Sequence, residues 1–312
     1  MSEATIFITI PAYEDPQLIS TIDGALANAL YPERLFFCIG MQYKELPDIS
    51  KYLNNPNFRF LFYDVETRPG VYKIRRDMSL EHSGQDYFLM IDSHMVFDKY
   101  WDATLLNNFS SLTQKFGDRV VMSRPSTERV GITFENGHIN DKPGWKVVEK
   151  NNPKNIDSFL VPSVKSEPWQ GEDFIQSYYA CCHFFFTNKK FLSEVGLFDG
   201  IRSYCEELLI SVSLYMLGWN IYFNPAWIFI GHDSNKTTKH IYGSENYTIA
   251  DGKQFGAIPD SADTKLEIAK FVLSGKSKLI NFVPERTADD YYKDSGLQHV
   301  QELLKREILE SK

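Results

Sequence analysis

The 312-residue chain contains no apolar run long enough to span a bilayer, which excludes a helical membrane core. Its start, Met1-Ser2-Glu3-Ala4, lacks the basic opening and small-residue cleavage site of a secretory leader. There is no surplus of positive charge either. The net charge of −8 argues against a broad electrostatic footprint for nucleic acid and leaves room only for a local basic groove. Cysteine is scarce: Cys38, Cys181, Cys182 and Cys205 form no paired framework and two of them are adjacent. That usage suits a reducing compartment, and with no span or leader it predicts a cytoplasmic protein. No G-x-G-x-x-G follows the first strand, which counts against a dinucleotide oxidoreductase. Internal repeats and low-complexity tracts are also absent. What remains is an ordinary globular composition, 43% hydrophobic, 24% charged and 14% aromatic, in a chain long enough to bury a full core.

The first 125 residues alternate β-branched or aromatic runs with helical patterns. Strands are predicted at Ile6–Pro11, Leu35–Gly40, Phe58–Tyr63, Tyr87–Ile91 and Val120–Ser123, with helices from Asp15-Pro16 to about Leu30 and over Val71–His82. Such alternation implies βαβ units, a mainly parallel sheet, and ligands at the carboxyl ends of its strands. An insertion over about 124–172 is rich in Gly, Asn and Pro; Asn136-Gly137 signals a hairpin and the rest reads as a long functional loop. Its Trp145 and Trp169 suit either stacking on a sugar or simple packing. Structure returns over Tyr178–Thr187, followed by a helix from Asn188, a longer one over Cys205–Leu217, and short strands at Asn220–Phe223 and Trp227–Ile230. The expected organisation is one α/β domain over 1–233 and a mostly helical extension over 234–312, with helices near Thr264–Ser274 and Thr287–Glu310.

The most informative segment is Tyr87-Phe88-Leu89-Met90-Ile91-Asp92-Ser93-His94, a buried-type strand running into an acid and, two residues on, a histidine. Residues i and i+2 of an extended chain point the same way, so Asp92 and His94 can share one ion. Carboxylate and imidazole suit Mn2+, and also Zn2+ or Fe2+. The plain alternative is that Asp92 caps a following helix. Trp227-Ile228-Phe229-Ile230-Gly231-His232 repeats the design, and three ligand-type residues at two strand ends make a better metal candidate than one. Arg68-Pro69-Gly70 opens a helix carrying Lys73, Arg75 and Arg76, where backbone N–H groups and cations favour a diphosphate; a solvated basic face gives the same pattern. Glu206-Glu207 open another helix. They project about 100° apart, so one faces a cleft, unless both merely answer the helix dipole.

Taken together these segments resemble the GT-A-fold glycosyltransferases, most of all the cytosolic α-N-acetylglucosaminyltransferases that modify hydroxyproline. At greater distance the chain is similar to the polypeptide N-acetylgalactosaminyltransferases. The resemblance spans Ile6 to Asp233 and is carried by Ile8 through Pro16, Tyr31-Pro32-Glu33-Arg34-Leu35, Ile39-Gly40-Met41-Gln42, Gly70 through Arg75, Ile91-Asp92-Ser93-His94 with Trp101-Asp102, Val195 through Asp199, and Cys205-Glu206-Glu207. It implies Mn2+ or Mg2+ held by Asp92, His94 and His232, and a UDP-sugar donor contacted by Pro11, Tyr13, Asp64, Arg68, Arg75, Ile91, Asp92 and Ser93. Arg75, Glu206 and Glu207 would be the catalytic candidates, and transfer would retain the anomeric configuration onto a hydroxyl of a protein or glycan rather than of a nucleic acid. Cys205 replaces a family glycine, and Cys181-Cys182 lie near a strand that is glycine-rich in relatives, which leaves the donor sugar open. A sugar-nucleotide-forming nucleotidyltransferase is the alternative enzyme. It wants a glycine-rich basic loop after the first strand, where Pro11-Ala12-Tyr13-Glu14 stands instead. A catalytically inactive nucleotide-sugar-binding protein would carry a spoiled metal site, whereas all three ligand candidates are present.

Overall fold

A computed structural model describes residues 3–123, 134–135, 138–139, 145–149, 164–168, 174–202, 206–223, 230–232, 247–248, 254–255 and 260–310. The chain opens with β1 (Ile6–Tyr13), α1 (Leu18–Asn28), β2 (Leu35–Gln42), α2 (Ser50–Leu53), β3 (Phe58–Tyr63), α3 (Val71–Ser79) and β4 (Tyr87–Ile91). Next come β5 (Met95–Phe97), α4 (Trp101–Phe116) and β6 (Val120–Ser123). Two small antiparallel ladders follow, β7 (Phe134–Glu135) with β8 (His138–Ile139), flanking Asn136-Gly137, and β9 (Trp145–Glu149) with β10 (Val164–Pro168). The rest is β11 (Ile175–Ser177), β12 (Phe184–Asn188), α5 (Lys190–Glu194), α6 (Glu206–Met216), β13 (Asn220–Phe223), β14 (Ile230–His232), the pair β15 (Tyr247–Thr248) and β16 (Gln254–Phe255), α7 (Ala262–Ser274), α8 (Ala288–Ser295) and α9 (Gln298–Glu310).

The main sheet runs β11-β13-β6-β12-β4-β1-β2-β3. Strands β3, β2, β1 and β4 are parallel neighbours, as are β13 and β6, while β12 inserts antiparallel between β4 and β6. The mainly parallel α/β sheet expected from the strand–helix alternation is therefore present, with two reversed strands, β12 at its centre and β11 at one edge. Side-chain alternation sorts two cores onto its faces. Ile6, Ile8 and Ile10 of β1 and Leu89 and Ile91 of β4 join α1 and α4 on one face. Phe7, Phe88 and Met90 join α3, α5 and α6 on the other.

Helix α1 buries Leu18, Ile22 and Ala25, a stripe at helical spacing, and α4 buries Trp101, Leu105, Phe109 and Leu112. The sequence reading contains no helix between Phe97 and Val120, although that stripe is its signal. Trp101 ties the two helices together through Nε1–H to the Ala25 carbonyl at 2.9 Å. From Leu208 to Met216 every residue of α6 is buried, so this helix runs through the interior rather than over it. Helices α7, α8 and α9 pack in the same core as Phe88 and α6. The predicted helix over Thr287–Glu310 is two helices, because α8 ends at Gly296 in a left-handed conformation (φ 77°). Residues Tyr178 to His183, within the run where structure is expected to return, form the loop between β11 and β12. Among the described residues no helix is long and apolar enough to cross a membrane.

Candidate active site

Strand register decides which loops meet. Tyr13 pairs with Gln42 and Gln42 with Tyr63, while Thr9 pairs with Met90, so β1, β2, β3 and β4 finish on one carboxyl edge. Pro11 lies within β1 opposite Gly40, Tyr13 ends β1, Asp64 follows β3 and Asp92 follows β4. Two non-glycine residues on this edge turn left-handed, Glu14 (φ 46°) and Arg68 (φ 40°). Each such conformation costs about 1–3 kcal/mol and persists only where the surroundings hold it; the Glu14 N–H, for one, donates to the Gln42 carbonyl at 3.0 Å. Burial, helped by Glu14 and Glu66 and opposed by Arg68, pushes the Tyr13 phenol up to about 12. Tyr13, Glu14, Glu66 and Arg68 thus form one electrostatic neighbourhood. Asp64 is exposed and accepts the Glu66 N–H at 2.9 Å, ordering the turn that leads to Arg68.

At the centre stands Arg75, delivered by α3 and 5% exposed. Its Nη1 meets Glu206 Oε1 at 2.5 Å, and its Nη2 meets Asp92 Oδ1 at 2.8 Å and the Cys182 carbonyl at 3.4 Å. Burial alone would discourage its charge, but Glu206, Cys182 and Asp92 more than offset that and hold the guanidinium firmly protonated. Its Nε is buried with no hydrogen-bond partner among the described residues. The end of a strand, a loop and the start of a helix therefore converge on one planar cation carried by a second helix.

Asp92 does not cap a helix. A strand, β5, begins three residues later, because Thr21 of α1 grips the intervening turn: its hydroxyl donates to the Ser93 carbonyl at 2.7 Å and accepts the Met95 N–H at 2.9 Å. With Oδ1 on Arg75, Asp92 presents Oδ2 to His94 Nε2 at 3.8 Å, too long for a hydrogen bond. The other imidazole nitrogen, Nδ1, lies 2.8 Å from Asp15 Oδ2, which also accepts the Ser93 hydroxyl at 2.5 Å. Burial pushes the Asp15 carboxyl up, yet hydrogen bonds from His94, Ser93 and the Gln17 N–H outweigh it and keep this group below the usual carboxylate range. Among the described residues no cluster of three His, Cys, Asp or Glu poised for a metal forms. The His232 side chain lies outside the described residues. Its backbone, however, pairs with Met95 across β14 and β5, next to His94.

The two glutamates part company at the start of α6. Glu206 takes Arg75, whereas Glu207 turns beneath the 179–182 loop, accepting the Cys182 N–H and the Tyr179 hydroxyl, each at 3.0 Å. Burial, opposed by the Cys182 N–H and reinforced by Glu206, lifts the Glu207 carboxyl to about 7. The same loop is held from behind, since the Ala180 N–H donates to Ser211 at 2.8 Å and Tyr291 of α8 donates to the Tyr178 carbonyl at 2.8 Å. Burial raises the thiols of Cys181 and Cys182 well above the usual cysteine range, so neither is a nucleophile at neutral pH.

Several sequence expectations need correction. The N-terminus of α3 is not open to a diphosphate: the N–H groups of Tyr72 and Lys73 both donate to the Arg202 carbonyl, at 2.9 and 3.2 Å. Lys73 is drawn to Asp77, one turn on, and Arg76 to Asp77 and Asp199, which leaves Arg75 as the cation that enters the site. Ile91 is fully buried in the core on the α1/α4 face, so its side chain offers a ligand nothing. Ser93 is committed to Asp15. Asp102, which follows Trp101 in the resemblance, accepts the N–H groups of Leu30 and Tyr31 at 2.7 and 2.9 Å and is structural. Trp169, Tyr204, Cys205, Trp227 to Phe229 and most of the 124–172 insertion lie outside the described residues, as does the Trp145 side chain. The residue that sequence reasoning missed is Asp15. It read as a helix opener and as part of the Ile8–Pro16 segment of the resemblance, and nothing local ties it to His94.

A family profile described as "Glycosyltransferase (GlcNAc)" matches residues 53–255, well over half of the chain. The chain belongs to this GlcNAc glycosyltransferase family. Among solved structures, GalNAc-T7 with UDP, GalNAc and Mn2+ is similar at a TM-score of 0.58 and 14% identity, covering 96% of this chain and 55% of that one. The likeness shows the GT-A glycosyltransferase fold, and this chain spans about half the length of that relative. Staphylococcus aureus TarS 1–349 in complex with UDP-GlcNAc is matched at a TM-score of 0.48 and 12% identity, over 88% of this chain and 68% of that one. No curated protein matches the sequence.

Proposed function

We propose that the chain is a metal-dependent glycosyltransferase that moves N-acetylglucosamine or a related hexose from a UDP-sugar to a hydroxyl of a protein or glycan, with retention. The observation that carries the proposal is the junction of Arg75 with Asp92 and Glu206 beside His94, at the carboxyl edge where α/β sheets take their ligands. One side-chain oxygen of Asp92 is spent on Arg75 while the other faces an imidazole nitrogen, a donor set that suits a borderline-hard divalent cation such as Mn2+, or Mg2+. Asp92 and His94 would hold that ion, with His232 as the third ligand from the paired strand. Bound there, the cation would offset the charge of the diphosphate leaving group.

Arg75 adds a fixed positive charge in a site that water reaches poorly, where it is preorganised for negative charge that develops on the leaving oxygen. Glu206 holds the guanidinium by its other amino group, Nη1, and is the proposed catalytic acid of the site. Glu207, buried under the 179–182 loop, positions the Cys182 backbone rather than the substrate. Pro11, Tyr13, Asp64 and Arg68 are proposed for the nucleoside, on the same edge. Three cysteine thiols, Cys38, Cys181 and Cys182, are free and buried, in keeping with a cytoplasmic home. Hydroxyproline in a protein is the first acceptor to try.

Calorimetry in Mn2+ is expected to show UDP binding well ahead of GDP, ADP and CMP, and chelator to remove that preference. Preference for a purine nucleotide would sink the reading. Mass spectrometry with a panel of sugar nucleotides then identifies the sugar, and NMR of the product's anomeric proton reports retention.

A further inference from the structure

We infer that Asp15 is a positioning residue for the proposed metal site, acting through His94. The inference rests on the reading of Asp92 and His94 as cation ligands. Asp15 lies in the turn from β1 to α1, remote in sequence from both, and is 5% exposed. Burying a carboxylate is costly unless it is fully hydrogen-bonded, and a local turn alone needs only a surface Asn, Asp or Ser. Only one of its oxygens serves the local turn: Oδ1 accepts the Gln17 N–H at 2.8 Å. Oδ2 faces the other way, toward the site, accepting the Ser93 hydroxyl at 2.5 Å and meeting His94 Nδ1 at 2.8 Å.

An ionised carboxylate only accepts hydrogen bonds, so Nδ1 carries a proton and donates, and in the neutral ring the lone pair is on Nε2. Nε2 is the atom that faces Asp92 Oδ2. Asp15 therefore selects the tautomer that a cation needs and sets the angle of the ring. Thr21, one turn into α1, fixes the backbone on both sides of His94 by bonding the Ser93 carbonyl and the Met95 N–H. The turn into α1 and its first turn thus hold both the ring and the main chain of a ligand that sits in the turn between β4 and β5. A carboxylate on the far nitrogen of a metal-bound imidazole also raises its basicity, and removing such a partner typically weakens metal binding about 10–100-fold.

The test compares wild type, Asp15→Asn, His94→Ala and the double variant by titration with Mn2+ alone, read by electron paramagnetic resonance of the free ion. Asparagine keeps the turn bond from the Gln17 N–H, and a thermal melt checks that each variant is folded. Asp15→Asn is expected to weaken Mn2+ binding about 10–100-fold and to lose nothing further in the His94→Ala background, since its effect passes through that ring. The 15N shifts of His94 in the metal-free protein are expected to show Nδ1–H in wild type and a mixed tautomer in Asp15→Asn. Turnover of Asp15→Asn should recover as Mn2+ is raised. A folded Asp15→Asn protein with wild-type Mn2+ affinity, or an added loss in the double variant, overturns the role of Asp15 while leaving the metal reading intact. A wild type that takes up no Mn2+, with His94→Ala equally silent, overturns the metal reading and this inference with it.

Discussion

Glu207 should make the stability of the fold depend on pH in a way that one substitution removes. Its carboxyl is buried beneath the 179–182 loop, which lifts it from an ordinary 4.5 to about 7 in the folded protein. At about 1.36 kcal/mol per pH unit of displacement, that interval corresponds to roughly 3 kcal/mol. The folded state holds the proton more tightly than the unfolded chain. Its contribution is therefore complete below pH 4.5 and is lost as the pH rises through 7. Glutamine keeps the volume, accepts the Cys182 N–H, and turns its amide toward the Tyr179 oxygen, but carries no charge to bury. Near pH 5 wild type and Glu207→Gln should melt within a degree or two of each other. By pH 8 the variant should gain about 3 kcal/mol on wild type, which for a chain of this size is roughly 6 °C in Tm. Differential scanning calorimetry of both proteins at pH 5, 6, 7 and 8 reads the difference directly. Parallel Tm profiles across that range would refute the burial argument.

Arg75→Ala leaves Asp92 and Glu206 facing each other without their shared cation, and loss of one partner from a buried ion pair costs about 3–5 kcal/mol; a thermal melt within a degree of wild type would contradict this. Glu206→Gln should lower turnover by about 10²-fold, the scale of a lost acid–base or positioning group, with Glu207→Gln much milder in kcat at neutral pH. The reverse order in steady-state assays would mean that Glu207 is the residue at the chemistry. Gly70→Ala should destabilise by about 2 kcal/mol or more, because φ is +88° and a Cβ there would stand 2.4 Å from the Arg202 carbonyl oxygen. Denaturant midpoints test it, and an unchanged midpoint would mean that the 70–202 contact yields freely. Asp92→Ala should abolish transfer and donor hydrolysis and also lower Tm through Arg75; wild-type turnover in chelator would rule out the ion.

The short hydrophobic runs were legible because central strands such as β4 and β6 are buried on both faces, while the half-exposed edge strand β3 is marked by its aromatics. Phe58–Tyr63, Tyr87–Ile91, Val120–Ser123 and Asn220–Phe223 were readable to the residue. Asp92 and His94 were readable as a pair for the same local reason, i and i+2 at a strand end. By contrast α4 was legible in principle through its Trp101, Leu105, Phe109 and Leu112 stripe, and was overshadowed by the motif at its own first turn. The choice among the cations of α3 lay beyond any local pattern. Lys73, Arg75 and Arg76 have the same charge, and only the position of Asp77, Asp199, Asp92 and Glu206 around the helix sends one of them inward.

The sequence alone determined an α/β sheet of short apolar strands and the strand ends that carry acids and histidines, since each follows from periodicity over a few residues. Tertiary structure decided which of those ends meet. Parallel register brings Tyr13, Asp64 and Asp92 to one edge, and the reversed strand β12 is preceded by the Cys182 backbone, which lies between Arg75 and Glu207. Folding β1 back against β4 turns Asp15 from a helix opener into the partner of His94. Hydrogen bonds and ion pairs act over about 3 Å, whereas the residues they join here are tens of residues apart along the chain, so their pairing is a property of the packed sheet and not of any segment within it.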